Sequence, residues 1–221
     1  MTAPLKTLLL LGCFAAFSNS VQAQALKSVG VKSGMAFSNQ TWDYQSLGLN
    51  LQHDYQISLP ASLQAEWGLG SKFSLITELG YLQQGYQRQM LLSTVEQPEG
   101  TGTMRVSTQF NNVYFSPQLQ FNQQLKAFTA YAFAGPRIDY LLSYDSYADL
   151  TPFDPQLEGL KYGLNYGLGL QYNFKRVGIS TDFTHFYDLQ PLIHLRPVGN
   201  SIDLKVRNQV FALRFGLHYR L

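Results

Sequence analysis

Charge is what this sequence has least of. Only 14% of its 221 residues are Asp, Glu, Lys or Arg, where an ordinary soluble domain carries about 25%. The net charge is +2 with no basic cluster, which argues against a nucleic-acid partner. Long hydrophobic runs are missing too. The longest, Thr7–Phe17, has about 11 residues, short of the roughly 20 a membrane helix needs. Cysteine occurs once, as Cys13. Disorder is excluded by the remainder, since 45% of residues are hydrophobic and 14% aromatic. The mean hydropathy is nonetheless close to zero, at −0.12, because Gln, Asn, Ser, Thr and Gly occupy the places that charge leaves empty.

The first residues read as an export signal. Met1–Lys6 is short and basic, Thr7–Phe17 is apolar, and Val21 and Ala23 stand at the −3 and −1 places before Gln24. Residues 1–23 are therefore expected to be a cleaved signal peptide, and 24–221 the mature domain. Leu10-Leu11-Gly12-Cys13 offers a lipoprotein alternative, but its apolar run is shorter. Cleavage after Ala23 removes Cys13, and with it any disulfide or cysteine-based metal site.

The mature chain alternates with period two. From Ile57 to Leu69 every odd residue is apolar, and from Tyr162 to Phe174 every even one is. Phe211–Leu221 repeats the pattern, and weaker versions occur at Val29–Phe37, Phe73–Tyr81, Val113–Phe121, Phe128–Tyr140 and Val177–Tyr187. That rhythm fits strands and no helix. Short turns are expected at Leu69–Lys72, Asn122–Lys126 and Phe174–Val177. Long polar loops are expected at Asn39–Gln56, Gln89–Arg105, Leu142–Gly159 and Asp188–Leu204. Strict alternation of long and short predicts an all-β, eight-stranded antiparallel up-and-down transmembrane barrel with both termini on the short-turn side. A soluble lipocalin-type barrel, apolar face inward, is the competing arrangement. Its water-facing side would carry Lys and Glu. Here the polar face is Gly, Ser, Asn and Gln, which suits a narrow lumen filled by side chains. Aromatics gather toward strand ends, at Phe37, Trp67, Phe73, Tyr81, Phe121, Tyr140, Tyr162, Phe174 and Tyr187, as interface girdles do.

If apolar side chains face lipid, parity points Lys32, Glu66, Glu78, Arg137, Asp139, Asp182, Arg214 and His218 into the lumen. Such groups must pair across the barrel, because burying them unpaired is very costly. The expected role of this set is structural, a network closing the lumen; a proton or small-solute channel is the functional alternative. A lipid-modifying enzyme would need Ser, His and a carboxylate at the outer rim, and the candidates are His185, Asp188 and Ser143. His185 equally suits a girdle, with Phe183 and Tyr187 beside it. His53-Asp54 and His194 fall in long loops, and the four histidines lack metal-ligand spacing. Gly163, Gly167 and Gly169 alternate on a strand and open no helix, so they make no phosphate loop. The loop Leu142–Gly159 carries Tyr144, Asp145, Tyr147, Asp149, Phe153, Asp154 and Glu158, a set of acids and rings suited to a protein, a glycan or Ca²⁺.

Four segments carry a family resemblance: VGVKSGMAFSN at Val29–Asn39, LITELGYLQQGYQ at Leu75–Gln87, AYAFAGPRIDYLLS at Ala130–Ser143 and YGLNYGLGLQYNF at Tyr162–Phe174. The mature chain resembles the outer-membrane β-barrel domain family of Bacteroidota that includes PorT-like proteins. The resemblance implies an eight-stranded barrel in a Gram-negative outer membrane, while the secretion role of PorT does not transfer with it. The fourth strand (Phe110–Phe121) lacks the family's usual acid before Pro117, and the chain ends in Leu221 where an aromatic is usual. The expectation is a non-enzymatic surface protein without cofactor, a structural or binding module. Its partners would be outer-membrane lipid, the barrel-insertion machinery and a protein or glycan at the long loops.

Overall fold

The computed structural model describes residues 26–44, 47–92, 102–146, 157, 159–195 and 203–221. The signal segment 1–23, Cys13, and the loop residues Tyr147, Asp149, Phe153, Asp154 and Glu158 lie outside these. The described chain forms eleven strands: β1 (Leu26–Tyr44), β2 (Leu49–Gln52), β3 (Gln56–Ser58), β4 (Ala61–Gly68), β5 (Phe73–Leu92), β6 (Gly102–Leu125), β7 (Phe128–Ser146), β8 (Leu160–Phe174), β9 (Val177–Asp188), β10 (Ile193–Leu195) and β11 (Leu204–Arg220). Eight of them close a ring, each antiparallel to the next, with β11 pairing β1 from Ser28↔Arg220 to Tyr44↔Leu204.

The register fixes the barrel's geometry. Following paired residues from Val29 leads through Ala65, Thr77, Pro117, Pro136, Leu164, Tyr187 and Gln209. The step from Pro117 to Pro136 lies between the pairs Phe115↔Ile138 and Leu119↔Ala134. Gln209 then returns to β1 at Asn39, ten residues beyond the start. Eight strands with this stagger tilt by about 35–45° and enclose a lumen just wide enough for side chains. Period two therefore sorts every residue of the wall. Leu63, Leu79, Phe115, Leu119, Leu168, Phe183 and Phe215 stand exposed on the outside, while Ser62, Glu78, Tyr114, Gln118, Asp182 and Arg214 are buried inside. An apolar exterior on a closed barrel is the surface that a bilayer solvates, since no strand edge is left open to lipid.

The strands outrun the period-two segments of the sequence. Asn39–Tyr44, Gln89–Leu92, Gly102–Arg105 and Leu142–Ser146, expected as loop, continue the ladder. Beyond the lipid both faces of the wall meet polar surroundings, so alternation fades while backbone pairing persists. The expected Ile57–Leu69 strand is divided. Pro60 interrupts it, and its carbonyl accepts the Ser33 hydroxyl at 2.9 Å. Register across the gap is kept, with Ala36↔Ser58 above and Ser33↔Ala61 below. The turns between β6 and β7 and between β8 and β9 place Lys126 and Lys175 at φ 49° and 46°, so both hairpins use the left-handed conformation of tight primed turns.

Two glycines make room for inward rings. A Cβ on Gly80 would lie 2.5 Å from the Tyr114 ring, and one on Gly169 would lie 2.3 Å from Tyr131. Gly169→Val is therefore expected to destabilise the barrel by about 1–3 kcal/mol through overpacking. Adding Tyr131→Leu should restore part of the loss, the Thr181 carbonyl oxygen remaining 2.7 Å from the added Cβ, measured as the temperature at which the compact band converts on a heat-modifiable gel. Equal losses with and without Tyr131→Leu would refute the packing argument.

Candidate functional site: the filled lumen

Four layers of side chains occupy the barrel from the short-turn end outward. The mouth holds a polar vestibule of about 680 Å³ lined by Ser28, Glu66, Asn122, Gln124, Gln171 and Asn173. Glu66 is half-buried there and accepts hydrogen bonds from Ser28 (3.0 Å) and Ser74 (2.7 Å). It pairs with no cation among the described residues. His218 sits at the vestibule's floor between Gln64 (2.5 Å) and Ser180 (2.6 Å), so its ring is held by uncharged partners.

The second layer is ionic. Arg214 joins β5 to β9, its Nη1 lying 2.5 Å from Glu78 Oε1 and its Nε 2.8 Å from Asp182 Oδ1. Lys32 Nζ completes Asp182 at 2.8 Å. Tyr114 and Gln118 donate to Glu78 at 2.5 and 2.9 Å, and Thr184 donates to Asp182 at 2.6 Å. Above this, Arg137 contacts Asp139 through Nε at 2.8 Å and Asp188 through Nη2. All seven of these charged residues have side chains at most 13% exposed. The arrangement satisfies the rule that buried charge must be paired and hydrogen-bonded. Phe186 lies between the two arginines, 5.3 Å from Arg137 Cζ and 5.6 Å from Arg214 Cζ, where its ring face attracts both guanidinium groups.

Amides form the third layer. Gln40 donates to Asn208 (2.8 Å) and Asn208 to Gln84 (3.1 Å). The outermost layer is apolar: Phe110, Leu157, Leu192, Ile193 and Val206 are buried together, with Trp42, Leu141, Tyr144 and Leu204 packed against them. Tyr144, expected as an exposed loop ring, is part of this cap. The bulge that shifts pairing from Asn111↔Ser143 to Asn112↔Leu141 brings both Leu141 and Tyr144 against it. Beside the cap, His53 packs on Tyr86 (4.5 Å) and Trp42 (5.1 Å). Burial pushes its imidazole below the ordinary pKa, and nearby Arg88 adds to the effect.

The lumen thus contains more than parity of charge suggested. Tyr114, Tyr131, Phe133 and Phe186 point inward, although apolar residues were assigned to lipid. The signal was available in β7, where Tyr131 and Phe133 share parity with Arg137 and Asp139 while Ala130, Ala132 and Ala134 face out. Asp188, considered as a rim carboxylate, belongs to the lumen as the second partner of Arg137.

The three residues considered for catalysis are held apart. His185 lies on the outer wall, stacked on Phe211 at 4.3 Å with its Nδ1 2.6 Å from the Tyr166 hydroxyl. Ser143 accepts from Asn111 (3.0 Å), and Asp188 is engaged inside with Arg137. His194 approaches Asp203 at 3.4 Å on β10's side of the crown. Among the described residues no group of three or more His, Cys, Asp and Glu side chains is placed to hold a metal ion.

A closed antiparallel barrel, apolar outside and ion-paired inside, is a transmembrane β-barrel of the outer-membrane type. Comparisons of shape return barrels of that type. Neisserial surface protein A matches with a TM-score of 0.49 at 8% identity, over 87% of this chain and 97% of that one. Ail of Yersinia pestis, the attachment invasion locus protein, matches at 0.41 and 14% identity, over 88% of this chain and all of its own. The N-terminal β-barrel domain of Pseudomonas aeruginosa OprF gives 0.42 and 11%, over 89% and 100%. At such scores and identities these likenesses concern the shape of the chain alone. No protein-family model and no curated protein matches the sequence.

Proposed function

We propose that the protein is an axially closed outer-membrane barrel that acts as a structural or binding module at the surface of a Gram-negative cell. The observation that carries this reading is the continuous filling of the lumen, from the Glu78–Arg214–Asp182 cluster to the cap of Phe110, Leu157 and Ile193. Ions crossing it would have to break buried ion pairs and then pass an apolar plug. The wall continues beyond the lipid in β1, β5, β6 and β7, and so carries the long loops on a stiff collar, the usual mount for recognition. A protein or glycan is the partner class for these loops. Outer-membrane lipid surrounds the wall, and the insertion machinery places it. Membership among the PorT-like barrels of Bacteroidota is proposed on the four resembling segments. The role is non-enzymatic in this reading, since His185, Asp188 and Ser143 each serve a separate local contact.

The test is electrical. Purified protein in a planar bilayer is expected to give no sustained single-channel current, and steady conductance would overturn the closed lumen. A companion measurement concerns the binding role. Deleting residues 147–156 should leave insertion and heat-modifiable migration intact while removing surface neighbours captured by crosslinking. An unchanged set of neighbours would refute binding through that loop.

A further inference from the structure

Three rows of outward side chains cross β5, β6 and β7 at the top of the lipid-facing wall. Tyr81, Val113 and Tyr140 are paired in register and form the girdle row. The next row outward is Gln83, Asn111 and Ser143, and the third is Gly85, Gln109 and Asp145. Their neighbours in sequence, Leu82, Gln84, Phe110 and Asn112, are buried inside, so parity turns the rows to the outer face. Two residues of a strand tilted by about 35–45° rise about 5 Å along the barrel axis. The second row therefore stands about 5 Å beyond the girdle, and the third about as far again, where lipid headgroups lie.

These rows are tied into one network. Asn111 Oδ1 accepts the Tyr81 hydroxyl at 2.7 Å and Gln83 Nε2 at 3.0 Å, and Asn111 Nδ2 donates to Ser143 at 3.0 Å. Gln83 Nε2 also donates to Gln109 Oε1 at 2.9 Å. The bonds fix the amide planes. They leave Gln83 Oε1, Gln109 Nε2, the Ser143 hydroxyl hydrogen and the Asp145 carboxylate without a partner among the described residues. Ser143 and Asp145 are exposed, and Gln83 and Gln109 are half-buried. Groups already held in place bind at a lower entropic cost than free side chains. Their chemistry is that of sugar recognition. Donors alternate with acceptors, as they do on neighbouring hydroxyls, and the tyrosine rings beside them offer apolar faces with a polar edge. Charge disfavours phosphate here. The only ion in the three rows is Asp145, while Arg88 and Arg105 stand three and four positions beyond Gln109 in register. Across the barrel, Asn39 and Gln209 are paired in register beside the girdle residue Tyr187, and no side-chain hydrogen bond ties them together.

We infer that this face of β5–β7 holds the uncharged sugar headgroup of a glycolipid in the outer leaflet. Continuity with the lipid-facing wall identifies the occupant. The patch begins where the apolar wall ends, directly above the exposed side chains of Leu79 and Phe115. A lipid whose tails lie on those two residues presents its headgroup to Gln83, Asn111 and Gln109. Confinement to the leaflet also gives such a lipid a high effective concentration at the patch, which a soluble glycan lacks. The site lies on the wall and is separate from the long loops proposed above for binding, so it stands whether or not those loops take a partner.

The test places the full barrel in phosphatidylcholine nanodiscs containing diglucosyldiacylglycerol or phosphatidylglycerol, with identical acyl chains and at equal mole fraction. Lipid retained by the barrel is counted by native mass spectrometry. The glycolipid is expected to be retained about tenfold more than phosphatidylglycerol, as two or three net hydrogen bonds provide. Gln109→Ala/Asn111→Ala should lower glycolipid retention by about tenfold and leave phosphatidylglycerol unchanged. Gln209→Ala, an outward amide on the far side, should change neither. Asp145→Lys should raise phosphatidylglycerol retention, and no rise would overturn the exclusion of phosphate. Heat-modifiable migration verifies folding, and Gln109→Ala alone, with a loss of about threefold, serves if the double variant misfolds. Equal retention of the two lipids would overturn the site, and so would an equal loss from Gln209→Ala, since either describes a polar belt without selection. Displacement of the glycolipid by an equal concentration of soluble maltose would overturn the membrane lipid as the occupant.

Discussion

Arg214→Met is expected to destabilise the folded barrel by about 3–5 kcal/mol, the range for breaking a buried ion pair from one side. The methionine fills most of the volume, so the loss is electrostatic. Asp182 keeps Lys32 at 2.8 Å and Thr184 at 2.6 Å. Glu78 keeps only the neutral donors Tyr114 and Gln118 and is wholly buried, so it carries most of the penalty. Glu78→Gln in the same background removes the stranded charge and should recover a substantial part of the stability. The measurement is urea unfolding in lipid vesicles, completed as a double-mutant cycle with the Glu78→Gln single variant. A loss below about 1 kcal/mol for Arg214→Met would place the pair among weakly coupled, solvated ones and refute a dry lumen.

That cluster also shows how far residues alone reveal the design. Glu78, Arg214 and Asp182 are remote in sequence, yet each interrupts the polar face of an alternating strand, so parity places all three inside. Which charge meets which is set by the ten-residue stagger of the ring, and strand periodicity carries no information about stagger. The sequence points Asp188 to the rim rather than the lumen for a related reason. It follows the last period-two residue of β9, and only the register with Gly163 shows that the wall still encloses it. The inward rings were hidden by composition. In β7, lipid tolerates Ala130, Ala132 and Ala134, while the lumen needs the bulk of Tyr131 and Phe133 opposite the glycines of β8. Polarity and burial are thus decoupled on that strand.

A decisive case for the surrounding solvent is Leu168→Arg. Leu168 is 67% exposed, on the outer wall where β8 pairs with Ala132 and Phe183. It lies between the girdle rings Tyr162 and Phe174 of its own strand. In a water-soluble barrel this substitution would be worth less than about 0.5 kcal/mol either way, as for most surface positions. Near the middle of a bilayer the same change costs about 2–4 kcal/mol, because the guanidinium must be hydrated through deformed lipid. The cost should fade along the wall. Gln109→Arg on β6, beyond the upper girdle, is expected to cost no more than about 1 kcal/mol, although both side chains leave the same face of the barrel. Unfolding free energies in vesicles for the two variants would reveal this depth dependence. Equal and small values at both positions would contradict a lipid-facing wall. Equal and large values would instead mean that the collar beyond the girdles also lies in a low-dielectric environment, contacting lipid or a partner.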